Sequence, residues 1–408
     1  MKLSPELIQR LPKTDLHLHL DGSLRPGTLI ELARRRGVEL PSFTEEGLFE
    51  LLFKENYASL TEYLKGFQYT VAVLQDEEAL EQTAYELMED NIREGVRYIE
   101  VRFAPQLHVH AGLTFQAVMQ AVSRGLDRAA SRYNRESAAI REGREPRYAY
   151  GIIACAMRKF EPFYSDFYKR IFDIHSFSSA KEVFKLASLE LVRAMVDVRD
   201  RFGVPVVGFD LAGDEAGYPA MDFEEAYDFA HRHFMKKTVH AGEAYGPESI
   251  FQAISYLHAD RIGHGYYLFS PEMIQSEEIT DPAHYIERLA NFIAERRITI
   301  EVCLSSNLQT NPKLGNLSRH SFTRMMAHSL SCTICTDNRL VSRTTVSREW
   351  QLALEHFPIT FKDLRNLLIY GFKRNFFPGP YLEKRQYVRQ AIDFIDQFEP
   401  AIQAEATS

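Results

Sequence analysis

Eight short apolar or β-branched runs punctuate this chain, most of them followed by a polar turn and a stretch of helical periodicity. They lie at Thr14–Leu20, Tyr98–Phe103, Tyr148–Ala156, Pro205–Leu211, Lys237–His240, Arg261–Gly263, Ile298–Leu304 and Cys332–Thr336. Strands that pair in parallel need a crossover between them, and a helix supplies it. Alternation of strand and helix therefore implies parallel βαβ units and an α/β fold. Eight units point to a closed (β/α)8 barrel of the TIM type rather than an open sheet.

The intervening segments fit this expectation. Glu77–Arg93 sets Leu80, Ala84, Leu87 and Met88 at helical spacing. Phe115–Tyr133, Ser179–Phe202 and Phe223–Phe234 follow the second, third and fourth strands. Ser347, ahead of Trp350, Leu352, Ala353 and Phe357, reads as an N-cap. The gap between the first two strands is long. Its helix-like stretches Arg25–Gly37 and Leu48–Leu74 predict an added helical subdomain over about 24–76. Two loop insertions are expected, a charged one over about 134–147 and an aromatic one over about 160–178. Nothing resembles a linker, so 1–408 is read as a single barrel domain.

Lys and Arg total 48 against 56 Asp and Glu, a net charge of −8. A protein that grips nucleic acid through its phosphates shows a basic field, and none is visible globally, so no nucleic-acid partner is expected. No run of about 18 apolar residues is present, which argues against a membrane span. The first residues lack the apolar core of a secretory signal. Four cysteines in 408 residues are not a disulfide framework, and a reducing cytoplasm is the expected compartment.

The stretch Asp15-Leu16-His17-Leu18-His19-Leu20-Asp21 carries the first chemical signal. Side chains alternate along a strand, so His17 and His19 share one face while the three leucines take the other. Two imidazoles at a strand end can hold one metal ion. A lone pair of this kind is more often buried, hydrogen-bonded histidine. Three other strand ends change the balance: His240 within Val-His-Ala-Gly-Glu, His264 within Arg-Ile-Gly-His-Gly, and Asp337 within Thr-Asp-Asn. In a parallel barrel these ends converge on one rim.

These pieces, with Asp-Leu-Ala-Gly-Asp-Glu at 210–215, run in order from about Leu11 to about Phe376. Together they resemble the adenosine deaminase family, of bacterial type, within the metal-dependent amidohydrolase superfamily. The resemblance implies a zinc-bearing barrel with one Zn2+ per chain, held by His17, His19, His240 and Asp337. Imidazole nitrogen and carboxylate oxygen suit zinc, which in a catalytic site keeps a position open for water. It further implies that His264 orients or deprotonates the attacking water and that Glu243 holds a proton against purine N1. The backbone N–H of Gly213 would meet N3, Asp21 would bind the ribose hydroxyl, and His19 would border the same pocket. Asn338 departs from the pattern, since many relatives carry a second Asp facing N7. An amide can still donate to N7, and needs no protonation to do so.

The activity implied is hydrolytic deamination of adenosine, and of 2′-deoxyadenosine, to inosine or deoxyinosine and ammonia. Its alternatives are another 6-aminopurine substrate (adenine, an aminofutalosine-like nucleoside or an N6-substituted adenine nucleotide) or a non-catalytic nucleoside-binding barrel. Two other signals are set aside. His108-Val109-His110 falls in the loop after the second strand, and Cys332-Thr333-Ile334-Cys335 has no partner pair and reads as strand filler.

Overall fold

Each of the eight apolar runs forms a strand in the computed structural model, which describes residues 1–406. The strands are β1 (Lys13–His19), β2 (Val96–Phe103), β3 (Ala149–Met157), β4 (Val206–Ala212), β5 (Lys236–Ala241), β6 (Arg261–His264), β7 (Thr299–Val302) and β8 (Ser331–Ile334). They follow in the order 1 to 8, and each pairs with the next in parallel. The ring closes just past β8. Asp337 N donates to the His17 carbonyl and His19 N to the Asp337 carbonyl, both at 2.8 Å, in a parallel bridge that centres on Leu18. The result is a (β/α)8 barrel.

Covering helices bury the outer strand face, where Leu16, Leu18 and Leu20 are fully enclosed. The inner face of β1 and β2 is buried too, yet it carries His17, His19, Glu100 and Arg102. Charged residues inside a barrel need partners: Glu301 answers both His17 and Arg102, and Arg261 answers Glu100.

Local signals account for most boundaries. Glu77–Arg93 starts on the Asp76 cap, and Ala180–Phe202 starts on a capping box made by Ser179 and Glu182. Between β1 and β2 the stretch from Leu48 to Leu74 does not form one helix. It is divided among Glu45–Leu51, Leu60–Leu64 and Phe67–Val73, because Thr44 and Ser59 each cap a new start. Ser347 is not an N-cap: Thr345 takes that role by accepting from Arg348 N, and Ser347 N donates to Glu94. β7 ends earlier than the apolar run suggests, since Leu304 already begins the helix Leu304–Thr310. The charged segment continues the helix Phe115–Glu136 and adds a short one at Ala138–Arg141. The aromatic segment holds a 3-10 turn at Pro162–Tyr164 and the helix Asp166–Ile174.

Candidate active site

The ends of β1, β5, β6 and β8 bring His17, His19, His240, His264 and Asp337 together. Ligand atoms of His17, His240, His264 and Asp337 all lie within 4.8 Å of one another, and all four residues are buried. His19 joins them. Its Nε2 is 3.3 Å from His240 Nε2 and 3.4 Å from Asp337 Oδ1, which is also 3.4 Å from His17 Nε2.

The outer nitrogens of two rings are committed elsewhere. His17 Nδ1 donates to Glu301 Oε2 at 2.8 Å, and His240 Nδ1 to Asp210 at 3.0 Å. A neutral imidazole that donates through Nδ1 keeps a lone pair on Nε2. The Nε2 lone pairs of His17 and His240 therefore point into the cluster. His17 Nε2 is buried and has no hydrogen-bond partner. Convergent lone pairs, a carboxylate and a stranded buried nitrogen are what a divalent cation satisfies, so these residues fit a bound metal. Burial alone would raise the Asp337 carboxyl, but the imidazoles of His17, His19 and His264 hold it far below the usual range. Asp337 has a positive φ of 62°, as has His264 at 66°. Such left-handed backbone at non-glycine residues is costly and clusters at functional sites. The packing under the cluster is close. A Cβ built on Gly263 would sit 2.9 Å from His17 Cε1, so only glycine fits there.

Behind the rings lies a chain of buried charges. Arg102 donates to Asp210 and to Glu301, each at 2.9 Å, and thereby ties together the two carboxylates that orient His240 and His17. Arg261 Nε also donates to Glu301, at 2.6 Å. Both guanidiniums are buried, and with His17 they hold the Glu301 carboxyl far below its ordinary range despite its own burial.

His264 is fixed from the other side by a relay. Phe322 N–H donates to His320 Nδ1, so the proton of that ring sits on Nε2, which donates to Asn307 Oδ1 at 3.1 Å. Asn307 Nδ2 then donates to His264 Nδ1 at 3.1 Å. A neutral His264 therefore carries its proton on Nε2, and that atom is 3.7 Å from Glu243 Oε1. Burial lowers the His264 pKa well below the usual value, which favours this neutral ring.

Glu243 lies in the turn after β5. Burial pushes its carboxyl up to about 8, so it is protonated at neutral pH. Glu215 holds the turn. Its Oε2 accepts from the backbone N–H groups of Glu243, Ala244 and Tyr245 at 3.1, 2.7 and 3.0 Å. Its Oε1 accepts from Gly242 N at 3.0 Å and from the Ser249 hydroxyl.

The expected substrate contacts are placed around this centre. Asp21 is buried, its Oδ1 has no partner, and burial raises its carboxyl to about 7. Gly213 follows β4 with φ of 93°, a conformation that glycine adopts without strain. Asn338 Nδ2 donates to the Tyr63 hydroxyl at 2.8 Å, while its Oδ1 lies against Gly22 without a partner. Tyr63 comes from the helical segment between β1 and β2 and also pairs with the Ser342 hydroxyl. His108 and His110 are elsewhere, bonded to the carbonyls of Leu74 and Gln75. Cys332 and Cys335 are buried free thiols.

Sequence reasoning missed Glu301, Arg102, Asn307, His320 and Tyr63, and it gave Glu215 no role. The one available signal was a charged residue inside an otherwise apolar strand, as in Ile-Thr-Ile-Glu-Val at 298–302 and Val-Arg-Phe at 101–103.

The profile of the adenosine deaminase family matches residues 12–159 and 175–393. The chain belongs to the adenosine deaminase family. It is 36% identical over 378 residues to adenosine deaminase 1 of Streptomyces coelicolor, an alignment that covers 92% of this chain and 85% of that one. Among solved structures, a zinc-bound amidohydrolase from Burkholderia ambifaria superposes with a TM-score of 0.76 at 21% identity, covering 99% of this chain and 96% of its own. The N6-mAMP deaminase of Arabidopsis superposes with a TM-score of 0.69 at 25% identity, covering 95% and 99%. The adenosine deaminase profile skips residues 160–174, the stretch that contains the helix Asp166–Ile174. Among the described residues of this family member, no helix is long and apolar enough to cross a membrane.

Proposed function

We propose that the chain hydrolyses adenosine and 2′-deoxyadenosine to inosine or deoxyinosine and ammonia, with Zn2+ as its resident metal. The convergence of the His17 and His240 lone pairs with His19 and Asp337 carries this reading, because it joins residues more than 300 positions apart around one point. His17, His19, His240 and Asp337 would hold the ion. When bound, the metal supplies Lewis acidity that brings the pKa of a water toward about 7.

The chain's own groups do the rest. His264, with its proton on Nε2, donates to the attacking water and holds it in position. Glu243, protonated at neutral pH, donates to purine N1 and turns the ring into an electron sink. The water oxygen adds at C6 and gives up both of its protons, one restoring Glu243 and the other passing to N6. The C6–N6 bond then breaks, the amino group leaves as ammonia, and C6 becomes a carbonyl beside the protonated N1. Asp21, with a buried acceptor lacking a partner, binds a ribose hydroxyl, and the Gly213 N–H meets N3. Asn338, whose Nδ2 donates to the Tyr63 hydroxyl, is the residue we assign to purine N7, since an amide donates there without being protonated. We place the enzyme in the cytoplasm, where its four free, buried cysteines would stay reduced.

Initial rates of ammonia release from adenosine, deoxyadenosine, adenine, AMP and N6-methyl-AMP, on protein of known metal content, test the reading. Adenosine is expected to lead. Turnover of another of these purines a hundredfold faster than adenosine would overturn the substrate assignment.

A further inference from the structure

On the face of the barrel opposite the candidate active site, a cleft of about 1320 Å3 opens between the helix Tyr381–Asp396 and the first residues of β4, β5 and β8. Eight cationic side chains line it and no carboxylate does, in a chain whose net charge is −8. Three of them, Arg199, Lys236 and Arg389, are answered by Asp200, Asp260 and Asp393. The other five are not. Lys384 Nζ donates to the backbone carbonyl of Asn375, and the Arg385 guanidinium lies over the Tyr381 ring. Arg297, Lys373 and Arg374 have no ion-pair partner among the described residues. Glu100, whose field reaches Lys384, is itself bound to Arg261.

Asn375 adds a second observation. It lines the cleft at 1% exposure, and neither its side-chain nitrogen nor its oxygen has a partner. Arg374 Nε is likewise buried without an acceptor. Buried donors left unmade are costly, and gathered like charges repel. A bound anion relieves the repulsion. Five unanswered cations in a cleft of about 1320 Å3 are more than a single phosphate, which two or three donors saturate, can answer. At the rim, Phe234 and Tyr381 expose 94% and 72% of their surfaces and offer flat rings to a base.

We infer that this cleft binds a polyphosphate chain, the group shared by nucleoside triphosphates and inorganic tripolyphosphate. Arg297, Lys373, Arg374, Lys384 and Arg385 grip its oxygens. Burial pushes the Lys384 ammonium down to about 8, with Arg261, Lys236 and Arg374 adding to the shift against the pull of Glu100. An anion would restore its full charge.

Calorimetric titration of the zinc-loaded protein in excess Mg2+ tests this. The titrants are tripolyphosphate, GTP (which lacks a 6-amino group) and a short single-stranded oligonucleotide. One tripolyphosphate or GTP should bind per chain, unaffected by saturating inosine. Its Kd should rise at least tenfold in Arg374→Ala and in the exposed double variant Lys373→Glu/Arg385→Glu, while both variants keep the parent rate on adenosine. GTP binding tighter than tripolyphosphate, with the excess lost in Tyr381→Ala, would identify a nucleotide as the source; equal affinities would identify the bare polyphosphate. The inference fails if neither anion binds saturably, if both variants bind like the parent, or if the oligonucleotide binds more tightly than GTP.

Discussion

Replacing Glu215 by Gln removes one oxygen from an arrangement that uses both. The carboxylate accepts four consecutive backbone N–H groups, from Gly242 to Tyr245, and the Ser249 hydroxyl. Glutamine has one carbonyl oxygen and an NH2. In its best orientation the oxygen keeps the three donors now on Oε2, Ser249 reverses its hydroxyl, and the NH2 faces the Gly242 N–H. The Gly242 N–H and the amide hydrogen that meets it are then both stranded, at about 1–3 kcal/mol each, and three charge-assisted bonds become neutral ones worth roughly half as much. The sum is about 6 kcal/mol if the turn stays where it is. The turn can instead shift, which spares part of that cost and moves Glu243. A displacement near 1 Å costs on the order of 100-fold in rate. Glu215→Gln is therefore expected to lower kcat/KM on adenosine by about two orders of magnitude and to lower Tm. Metal content should hold, because Asp210 rather than Glu215 orients His240. The assay is the absorbance change on conversion of adenosine, beside metal analysis and calorimetry of the same preparations. A variant within twofold of the parent rate would show that Glu215 does not position Glu243. Loss of metal in step with activity would show that it acts through the ligands.

Glu243→Gln should keep its metal yet lose several orders of magnitude in turnover, since N1 would receive no proton; parent-like kcat would take Glu243 out of the mechanism. His240→Ala should lower metal occupancy together with rate, and full occupancy by metal analysis would mean that His240 is not a ligand. The pH dependence of stability should carry the signature of Glu349, whose buried carboxyl is raised from 4.5 to about 7 by burial, against hydrogen bonds from Ser305 and Thr344. Between those values the folded state binds more protons than the unfolded state, so stability falls as pH rises through the window, by up to about 3 kcal/mol. Glu349→Gln should lose that slope and gain on the parent between pH 4.5 and 7 in thermal melts, and identical slopes would refute the assignment. His320→Ala breaks the relay that places the proton of His264. It should reduce kcat without loss of metal, and an unchanged pH–rate profile would deny the relay a role.

The barrel was legible because eight apolar or β-branched runs recur and the crossovers from β1 to β5 carry a helical period. The cluster was legible for a different reason. His17, His19, His240, His264 and Asp337 stand where apolar runs stop, and a polar residue at such a place invites a chemical explanation. What the sequence did not display are groups whose meaning depends on depth. Glu301 sits within Ile-Thr-Ile-Glu-Val, and nothing in that string says which carboxylate reaches His17. Asn307 and His320 are ordinary polar residues until folding sets them in line behind His264. The helical segment between β1 and β2 was expected, but its Tyr63 contact with Asn338 depends on how that segment folds back over the barrel mouth.

The buried charges explain how so polar an interior can be rigid. A lone carboxylate in Glu301's position would be protonated or would draw in water, since burying an unpaired charge is prohibitive. With His17 and Arg102 on Oε2 and Arg261 and Thr238 on Oε1, it is satisfied and immobile. Arg102 extends the same lattice to Asp210 and so to His240. The two rings are thus oriented by partners that share a single guanidinium, and a shift in one carboxylate is opposed through the other. His19 lacks any such backing: its Nδ1 is 4.0 Å from Asp21, beyond hydrogen-bond reach. Of the three histidines proposed as ligands, it is the one free to adjust as metal and substrate arrive, and it stands beside the carboxylate proposed to bind the ribose.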